Sequence, residues 1–173
     1  PPHNEVALKK LPAVDKLTDC FSKDACIVIT DDGHNAGVLA EKLSAHGLDI
    51  AVVRSPLSAA SPLNSEIASY PLASVDEAGV KAVIAEIENK HKAIGGFIHL
   101  QPATADAQVE STAIALNDDA KQSISVAFLF AKLLHTQLNS SSTSGRHCFF
   151  TVSRIDGGFG YHDAEQLAKA ELN

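Results

Sequence analysis

The stretch Cys26-Ile-Val-Ile-Thr-Asp-Asp-Gly-His-Asn-Ala-Gly37 decides the fold of this chain. It begins with a β-branched apolar run without alternation, which is typical of a parallel strand buried on both faces. A short polar turn follows, and Val38-Leu-Ala-Glu-Lys-Leu43 continues as an amphipathic helix. A strand, a tight turn and a helix in this order open a nucleotide-binding fold. The turn, however, carries acidic side chains where a phosphate cradle needs glycines.

Strand and helix patterns alternate through the rest of the chain. Gly47 stands where the first helix should end, and an apolar run over 48–53 completes a βαβ unit. Further strands are predicted at 70–73, 97–100 and 147–152, the last as another buried strand, and further helices start at Ser74 with a capping box to Glu77, at Asp118 or Asp119, and at Asp163. The sequence therefore predicts an α/β, doubly wound, Rossmann-like fold with a mostly parallel sheet of about five strands.

Composition bounds the class of protein and its partners. The chain has 173 residues, of which 45% are hydrophobic and 20% charged, and its mean hydropathy is +0.03. These values fit one globular domain with a buried core. The net charge is −7 and the basic residues are scattered, so we expect neither nucleic acid nor an anionic membrane as a partner. No apolar run approaches the roughly 20 residues of a membrane span.

Cysteine, histidine and methionine usage indicates the compartment and the cofactors. The three cysteines are an odd number without a CxxC spacing, and Cys26 and Cys148 lie in apolar runs, which predicts reduced thiols in the cytoplasm. None of the eight histidines has another ligand at the spacing of a metal motif, so no metal site is predicted. The chain has no methionine and ends soon after a helix start, and we expect it to be a piece of a longer protein.

The turn can be compared with the T-G-x-x-x-G-x-G pattern of a reductase dinucleotide site. Aligning Thr30 with its first position places Asp31 and Asn35 at two glycine positions, and only Gly37 matches. Two carboxylates would also repel a diphosphate. We therefore predict that no cofactor binds this degenerate turn, which consists of Thr30, Asp31, Asp32, Gly33, Asn35 and Gly37.

A catalytic set of the short-chain reductase type is incomplete. Ser153 ends the last predicted strand and Tyr161 follows, but Glu165 occupies the position four residues after the tyrosine, where a lysine is needed. A carboxylate there raises the phenol pKa instead of lowering it. No catalytic residue is therefore assigned. An alternative keeps the chain as an active NADPH-dependent reductase with an atypical phosphate turn, using Arg54, Ser153 and Tyr161.

A second alternative is a receiver-like signalling domain, because Asp31 and Asp32 form an acidic pair after the first strand. Such a domain also needs an acceptor aspartate after the third strand of its sheet and a lysine after the fifth, which balance Mg²⁺ and phosphate. The corresponding strand ends here offer His99-Leu-Gln101 and Ser153-Arg154. The His99 and Gln101 side chains could equally contact a substrate or a ribose.

Three segments resemble the ketoreductase region of bacterial polyunsaturated fatty acid synthases, which are multidomain relatives of modular polyketide synthases. They are Ile29 to Leu43, Gly95 to Pro102 and, most specifically, Phe149-Phe-Thr-Val-Ser-Arg-Ile-Asp-Gly-Gly-Phe-Gly-Tyr161. The resemblance implies a fold truncated relative to a full short-chain reductase, with 1–24 as a lead-in segment and 25–173 as the structural subdomain.

The resemblance also implies a supporting role. In that family a structural subdomain without cofactor packs against a catalytic subdomain of the same chain, which holds NADPH. The intact enzyme would reduce a 3-ketoacyl chain carried on acyl carrier protein domains. Under this interpretation, the unusually apolar helix at 124–134 and the apolar pieces of the N-terminal segment would contact the catalytic subdomain.

Overall fold

The computed structural model describes residues 21–102, 118–140 and 146–153. The described residues form one parallel sheet with the strand order β3-β2-β1-β4-β5. The strands are β1 (Cys26–Thr30), β2 (Asp49–Arg54), β3 (Ala68–Pro71), β4 (Ile94–Leu100) and β5 (Cys148–Val152), and the helices are α1 (Ala36–Ala45), α2 (Glu77–Lys90) and α3 (Asp118–Leu138). The predicted doubly wound, Rossmann-like class is confirmed. Most of the lead-in segment and the helix predicted from Asp163 lie outside the described residues.

Both faces of the sheet are covered, which explains the missing alternation in the central strands. Every residue of β1 and of β4 is buried. One face packs against α2 and α3, while the other packs against α1. The stripe predicted for α2 is buried as expected and consists of Val80, Val83, Ile84 and Ile87. Among the helices that the structure describes, none is long and apolar enough to cross a membrane.

The predicted end of α1 is confirmed by its backbone geometry. Gly47 has a φ of +79°, in the left-handed region that favours glycine. The backbone N–H of His46 donates to Leu43 O at 3.1 Å, and that of Gly47 donates to Ser44 O at 2.8 Å. These bonds satisfy carbonyl groups that the helix leaves without partners.

Three local predictions need correction. The N-cap of α2 is Asp76, whose carboxylate accepts the backbone N–H of Gly79 at 2.7 Å, and not Ser74. β3 lies two residues earlier than predicted. β4 begins at Ile94, so Gly95 lies inside the strand, where an added Cβ would come 2.5 Å from the Cβ of Ala25.

The prediction of a buried last strand is also wrong. β5 pairs with β4 at the edge of the described sheet, and Phe150 keeps 50% of its surface exposed. An apolar sequence shows that a strand lacks polar residues, but it does not show whether other elements cover one face of the strand or both. Phe149 packs one ring face against Phe97 at a centroid distance of 4.9 Å.

Candidate functional site

The site predicted from the sequence lies where ligands bind in open α/β sheets, outside the carboxyl ends of the strands. The turn segment (residues 31–35) connects the end of β1 to the start of α1. Beside it, β2 ends at Arg54, and the covering loop (residues 55–67) leads from there to β3. These pieces determine whether a dinucleotide can enter.

The carboxylate of Asp32 occupies the amino end of α1. One of its oxygens, Oδ1, accepts the backbone N–H groups of His34 at 3.0 Å, Asn35 at 2.7 Å and Ala36 at 3.1 Å. The other oxygen accepts the side-chain amide of Asn35 at 2.8 Å. A helix amino end binds anions through such N–H groups and through the helix dipole. Here the anion is supplied by the chain itself.

The ionised form of Asp32 is the favoured one. Burial by itself would raise the pKa of this carboxyl group, but the hydrogen bonds from His34, Asn35 and Ala36 outweigh burial and hold the pKa below its ordinary value. Asp32 is therefore a permanent negative charge at neutral pH. A phosphate would have to displace it or share its site against direct repulsion.

Asp31 turns in the other direction and binds Arg54. This carboxylate is almost completely buried, and the guanidinium of Arg54 donates to it. It also accepts the backbone N–H of Gly33 at 2.9 Å and that of Ser61 at 3.0 Å. Arg54 in turn donates to the carbonyl of Ser61 at 2.7 Å. Arg54, which the alternative of an active NADPH-dependent reductase would use, is therefore engaged by other groups of the protein.

The covering loop lies directly on the turn segment. Ser58 donates its hydroxyl to the carbonyl of Asp31 at 3.0 Å. An added Cβ on Gly33 would come 3.0 Å from the carbonyl oxygen of Ala59, and one on Gly37 would overlap the carbonyl oxygen of Pro62. Gly33 also has a φ of +86°. Both glycines thus allow the loop, and not a ligand, to approach the start of α1 closely.

His99 is part of a buried hydrogen-bonded group and not of an open pocket. Its Nδ1 lies 3.0 Å from Thr30 Oγ1, and its Nε2 lies 3.3 Å from Ser123 Oγ. Thr30 Oγ1 also accepts the backbone N–H of Leu100 at 2.9 Å. Burial lowers the pKa of His99, so the neutral imidazole is favoured. This group ties β1, β4 and α3 together.

These contacts decide which predicted residues meet. The structure brings Thr30, Asp31, Asp32, Gly33, Asn35, Gly37 and Arg54 into one turn, but the N–H groups at its entrance face Asp32 and the loop fills the adjoining space. The residues present do not fit a dinucleotide phosphate. Ser153 is exposed at the end of β5, and Tyr161 lies outside the described residues.

A cluster of potential metal ligands lies at the opposite edge of the sheet. Cys26, Asp49 and His91 each place one ligand atom within 4.8 Å of the other two. Motif spacing did not indicate this cluster, because its members come from three different elements. The strand register could have suggested part of it, since the first residues of neighbouring parallel strands lie side by side.

A shallow cleft of about 320 Å³ lies near the same edge, between the end of α3 and the start of β5. Its lining mixes apolar and imidazole groups and consists of Ala131, His135, Leu138, Asn139, His147, Cys148 and Phe149. It is remote from the turn segment, at the other ends of the strands.

Comparison with solved structures supports the fold. The ligand-free aldohexose dehydrogenase of Thermoplasma acidophilum aligns with a TM-score of 0.57 and 14% identity over 86% of this chain and 56% of that chain. A short-chain dehydrogenase from Leptospira borgpetersenii with bound NAD⁺ aligns with a TM-score of 0.58 and 14% identity over 96% of this chain and 67% of that chain.

A ketoreductase domain from the bacillaene assembly line is similar as well. It aligns with a TM-score of 0.55 and 17% identity over 91% of this chain and 39% of that chain. No family model matches the chain, and no curated protein matches it significantly. The similarities therefore support the Rossmann-like fold, and this chain spans about two fifths to two thirds of the three structures compared.

Proposed function

We propose that this chain is the structural, non-catalytic subdomain of the ketoreductase region of a polyunsaturated fatty acid synthase, a multidomain enzyme related to modular polyketide synthases. In this role it binds no cofactor and supports a catalytic subdomain that holds NADPH. The intact region would reduce a 3-ketoacyl chain, carried on an acyl carrier protein domain, to the 3-hydroxyacyl form. The observation that carries the proposal is the carboxylate of Asp32 at the amino end of α1.

The Asp32 carboxylate stabilises the amino end of α1 in the absence of a bound phosphate. A helix amino end that has lost its phosphate keeps unsatisfied N–H groups and an uncompensated dipole. Asp32 accepts two of these N–H groups, those of the N-cap residue Asn35 and of Ala36, together with the preceding N–H of His34. Asp31 engages Arg54. The turn segment thus keeps the strand–turn–helix order of a nucleotide-binding fold, while its polar groups form hydrogen bonds within the chain.

An exposed apolar face supports a role as one half of a larger unit. α3 buries one side against the sheet, yet Ile124 and Phe128 on another side keep 57% and 64% of their surfaces exposed. Large apolar side chains grouped on a helix surface are typical of contact faces. We infer that the catalytic subdomain covers this face of α3.

The alternatives need side chains that are already engaged. An active reductase with an atypical turn would have to free Arg54 from Asp31 and move the covering loop. A receiver-like domain needs Asp31 and Asp32 open to Mg²⁺, but their oxygens accept hydrogen bonds from Gly33, Ser61 and the start of α1. Both alternatives therefore require a rearranged turn.

Titration of the purified chain with NADPH tests the proposal. We expect no saturable change in the fluorescence of NADPH itself and no saturable heat of binding in calorimetry, since the chain has no tryptophan to report binding. A dissociation constant tighter than about 100 μM, which corresponds to about 5.5 kcal/mol, would overturn it. The matched experiment uses the intact ketoreductase region. There we expect one NADPH per region, with the same affinity in the wild type and in the Asp32→Asn variant, because the cofactor occupies the other subdomain.

A further inference from the structure

We propose that Cys26, Asp49 and His91 bind a zinc ion, with Tyr70 holding the imidazole in position. The three ligands meet at the amino-terminal edge of the sheet, at the far ends of the strands from the turn segment. The proposal is thus independent of whether the chain binds NADPH.

The fold holds the three ligands together. Cys26 begins β1 and Asp49 begins β2, and the parallel register pairs these two residues directly. Partners in a parallel register direct their side chains to the same face of the sheet. His91 follows α2 immediately as its C-cap and leads the chain back towards β4. A ligand atom of each residue already lies within 4.8 Å of the others, so small side-chain movements suffice to surround one ion.

Both ring nitrogens of His91 have a hydrogen-bond partner beside the proposed site. Its Nδ1 lies 2.7 Å from Asp49 Oδ1, and its Nε2 lies 2.8 Å from the hydroxyl of Tyr70, a side chain that is almost completely buried. Metal-binding histidines almost always engage the second ring nitrogen with a hydrogen-bond partner, which fixes the tautomer. Without an ion, Nδ1 donates its proton to the Asp49 carboxylate, which can only accept, and Tyr70 donates its hydroxyl to Nε2. An ion at Nδ1 would shift the imidazole proton to Nε2, where the Tyr70 oxygen can accept it.

The donor set selects the class of ion. A thiolate, an imidazole and a carboxylate are together typical of zinc, and three protein ligands leave a fourth tetrahedral position for water. A divalent ion with one thiolate and one carboxylate forms a neutral centre, which a buried site tolerates better than an isolated charge. Cys26 is fully buried, while the Asp49 side chain is 31% exposed, so the ion approaches from the carboxylate side.

Binding is coupled to loss of a proton. Without the ion, burial and then the nearby Asp49 carboxylate raise the pKa of the Cys26 thiol, which stays protonated. When Zn²⁺ binds sulfur, the thiol proton leaves to solvent, and no electron is transferred.

The test uses tag-free protein treated with a chelator and titrated with Co²⁺. We expect a thiolate-to-cobalt charge-transfer band in the near ultraviolet and intense visible bands of a four-coordinate ion, saturating at one ion per chain. Zn²⁺ should displace Co²⁺ from the site. In a separate titration of the metal-free protein in weakly buffered solution, each bound Zn²⁺ should release about one proton. The control is the Cys20→Ser/Cys148→Ser variant, in which Cys26 is the one remaining thiol, and it should give the wild-type spectrum.

Substitutions of single residues distinguish what each one contributes to ion binding. Cys26→Ser should abolish the charge-transfer band. Asp49→Asn and His91→Gln should each weaken zinc binding by about tenfold or more. Tyr70→Phe should weaken it by about tenfold and keep the band, as expected for a positioning residue. The proposal is wrong if wild-type protein saturated with Co²⁺ shows no thiolate band, or if Cys26→Ser binds Zn²⁺ as tightly as the wild type.

Discussion

Arg54 at the end of β2 forms an ion pair with Asp31, the first residue after β1, and the two side chains link the carboxyl ends of these neighbouring strands. The register explains the pairing, because Thr30 and Val53 are partners and the next residues of both strands therefore lie side by side. Arg54 would attract a phosphate in an open site, but here it forms an ion pair within the chain.

Removing Arg54 should therefore destabilise the chain strongly. Asp31 keeps 1% of its side chain exposed, and Arg54→Ala leaves that charge without its cation. We expect a loss of about 2–4 kcal/mol in the free energy of unfolding, measured by urea denaturation. Lys132→Ala is the control, because it breaks an exposed pair with Glu77 and should change little. Equal effects of the two substitutions would contradict the stabilising role of the ion pair between Arg54 and Asp31.

Asp32 should contribute stability as the anion of α1. Asp32→Ala removes the acceptor of three backbone N–H groups, and we expect a loss of about 2 kcal/mol in the free energy of unfolding. Asp76→Ala, at the start of α2, removes an exposed carboxylate that accepts the Gly79 N–H and is the comparison. It should have the smaller effect. The reverse order would show that Asp32 does not act as the main cap.

The Asp32→Ala substitution should not create a cofactor site. In the Asp32→Ala variant the N–H groups are free, but the covering loop still lies against Gly33 and Gly37. We expect no NADPH binding in the titration that tests the wild type. Saturable binding by this variant would mean that the carboxylate alone, without the loop, blocks the crevice.

The contact between Gly37 and the covering loop can be tested separately. Gly37→Ala places a methyl group on the carbonyl of Pro62, so the loop must move. We expect a net loss of about 1–3 kcal/mol despite the better helix propensity of alanine. Hydrogen exchange should increase at the Ser61 N–H, which donates to Asp31. The Val38→Ala variant changes an exposed residue of the same helix and should leave that exchange unaltered.

His99 should make stability depend on pH. Burial lowers its pKa in the folded state below the ordinary value of 6.5. As the pH falls below about 6.5, the unfolded state binds the proton first, and the free energy of unfolding decreases by at most about 1.4 kcal/mol per pH unit. The decrease stops below the folded-state pKa.

Urea denaturation between pH 8 and pH 5 measures this effect. The His99→Gln variant should show a smaller decrease over that range than the wild type. His46→Gln, which changes an exposed histidine at the end of α1, is the control and should follow the wild type. An unchanged slope in His99→Gln would mean that the imidazole is not kept neutral by the fold.

The fold could be predicted because its signals are local. The apolar run of β1, the stripe of α2 and the glycine after α1 each define an element without reference to distant residues. The exposure of β5 could not be predicted in this way. Whether an apolar strand is central or at an edge depends on which other segments pair with it, and no property of Phe149 or Phe150 contains that information.

The candidate site shows the same division. The order of residues in the turn is enough to place Asp31 and Asn35 at two glycine positions of the reductase pattern. The bonds that Asp31 makes to Arg54 and Ser61 span 23 and 30 residues, and local patterns do not report them. The cluster of Cys26, Asp49 and His91 has the same property, because its members are 23 and 42 residues apart and no local motif contains them.

The exposed face of α3 provides the sharpest test of the proposed supporting role. Ile124→Ser/Phe128→Ser changes two side chains that are more than half exposed, so the free energy of unfolding of the isolated chain should change by less than about 0.5 kcal/mol. If this chain is the structural subdomain that we propose, the same variant should weaken NADPH binding and lower the melting temperature of the intact ketoreductase region, because it removes the face proposed to pack on the catalytic subdomain. Val38→Ser, on the helix that covers the opposite face of the sheet, is the matched control and should leave both properties unchanged. If the α3 variant behaves like this control in the intact region, the catalytic subdomain does not dock on Ile124 and Phe128.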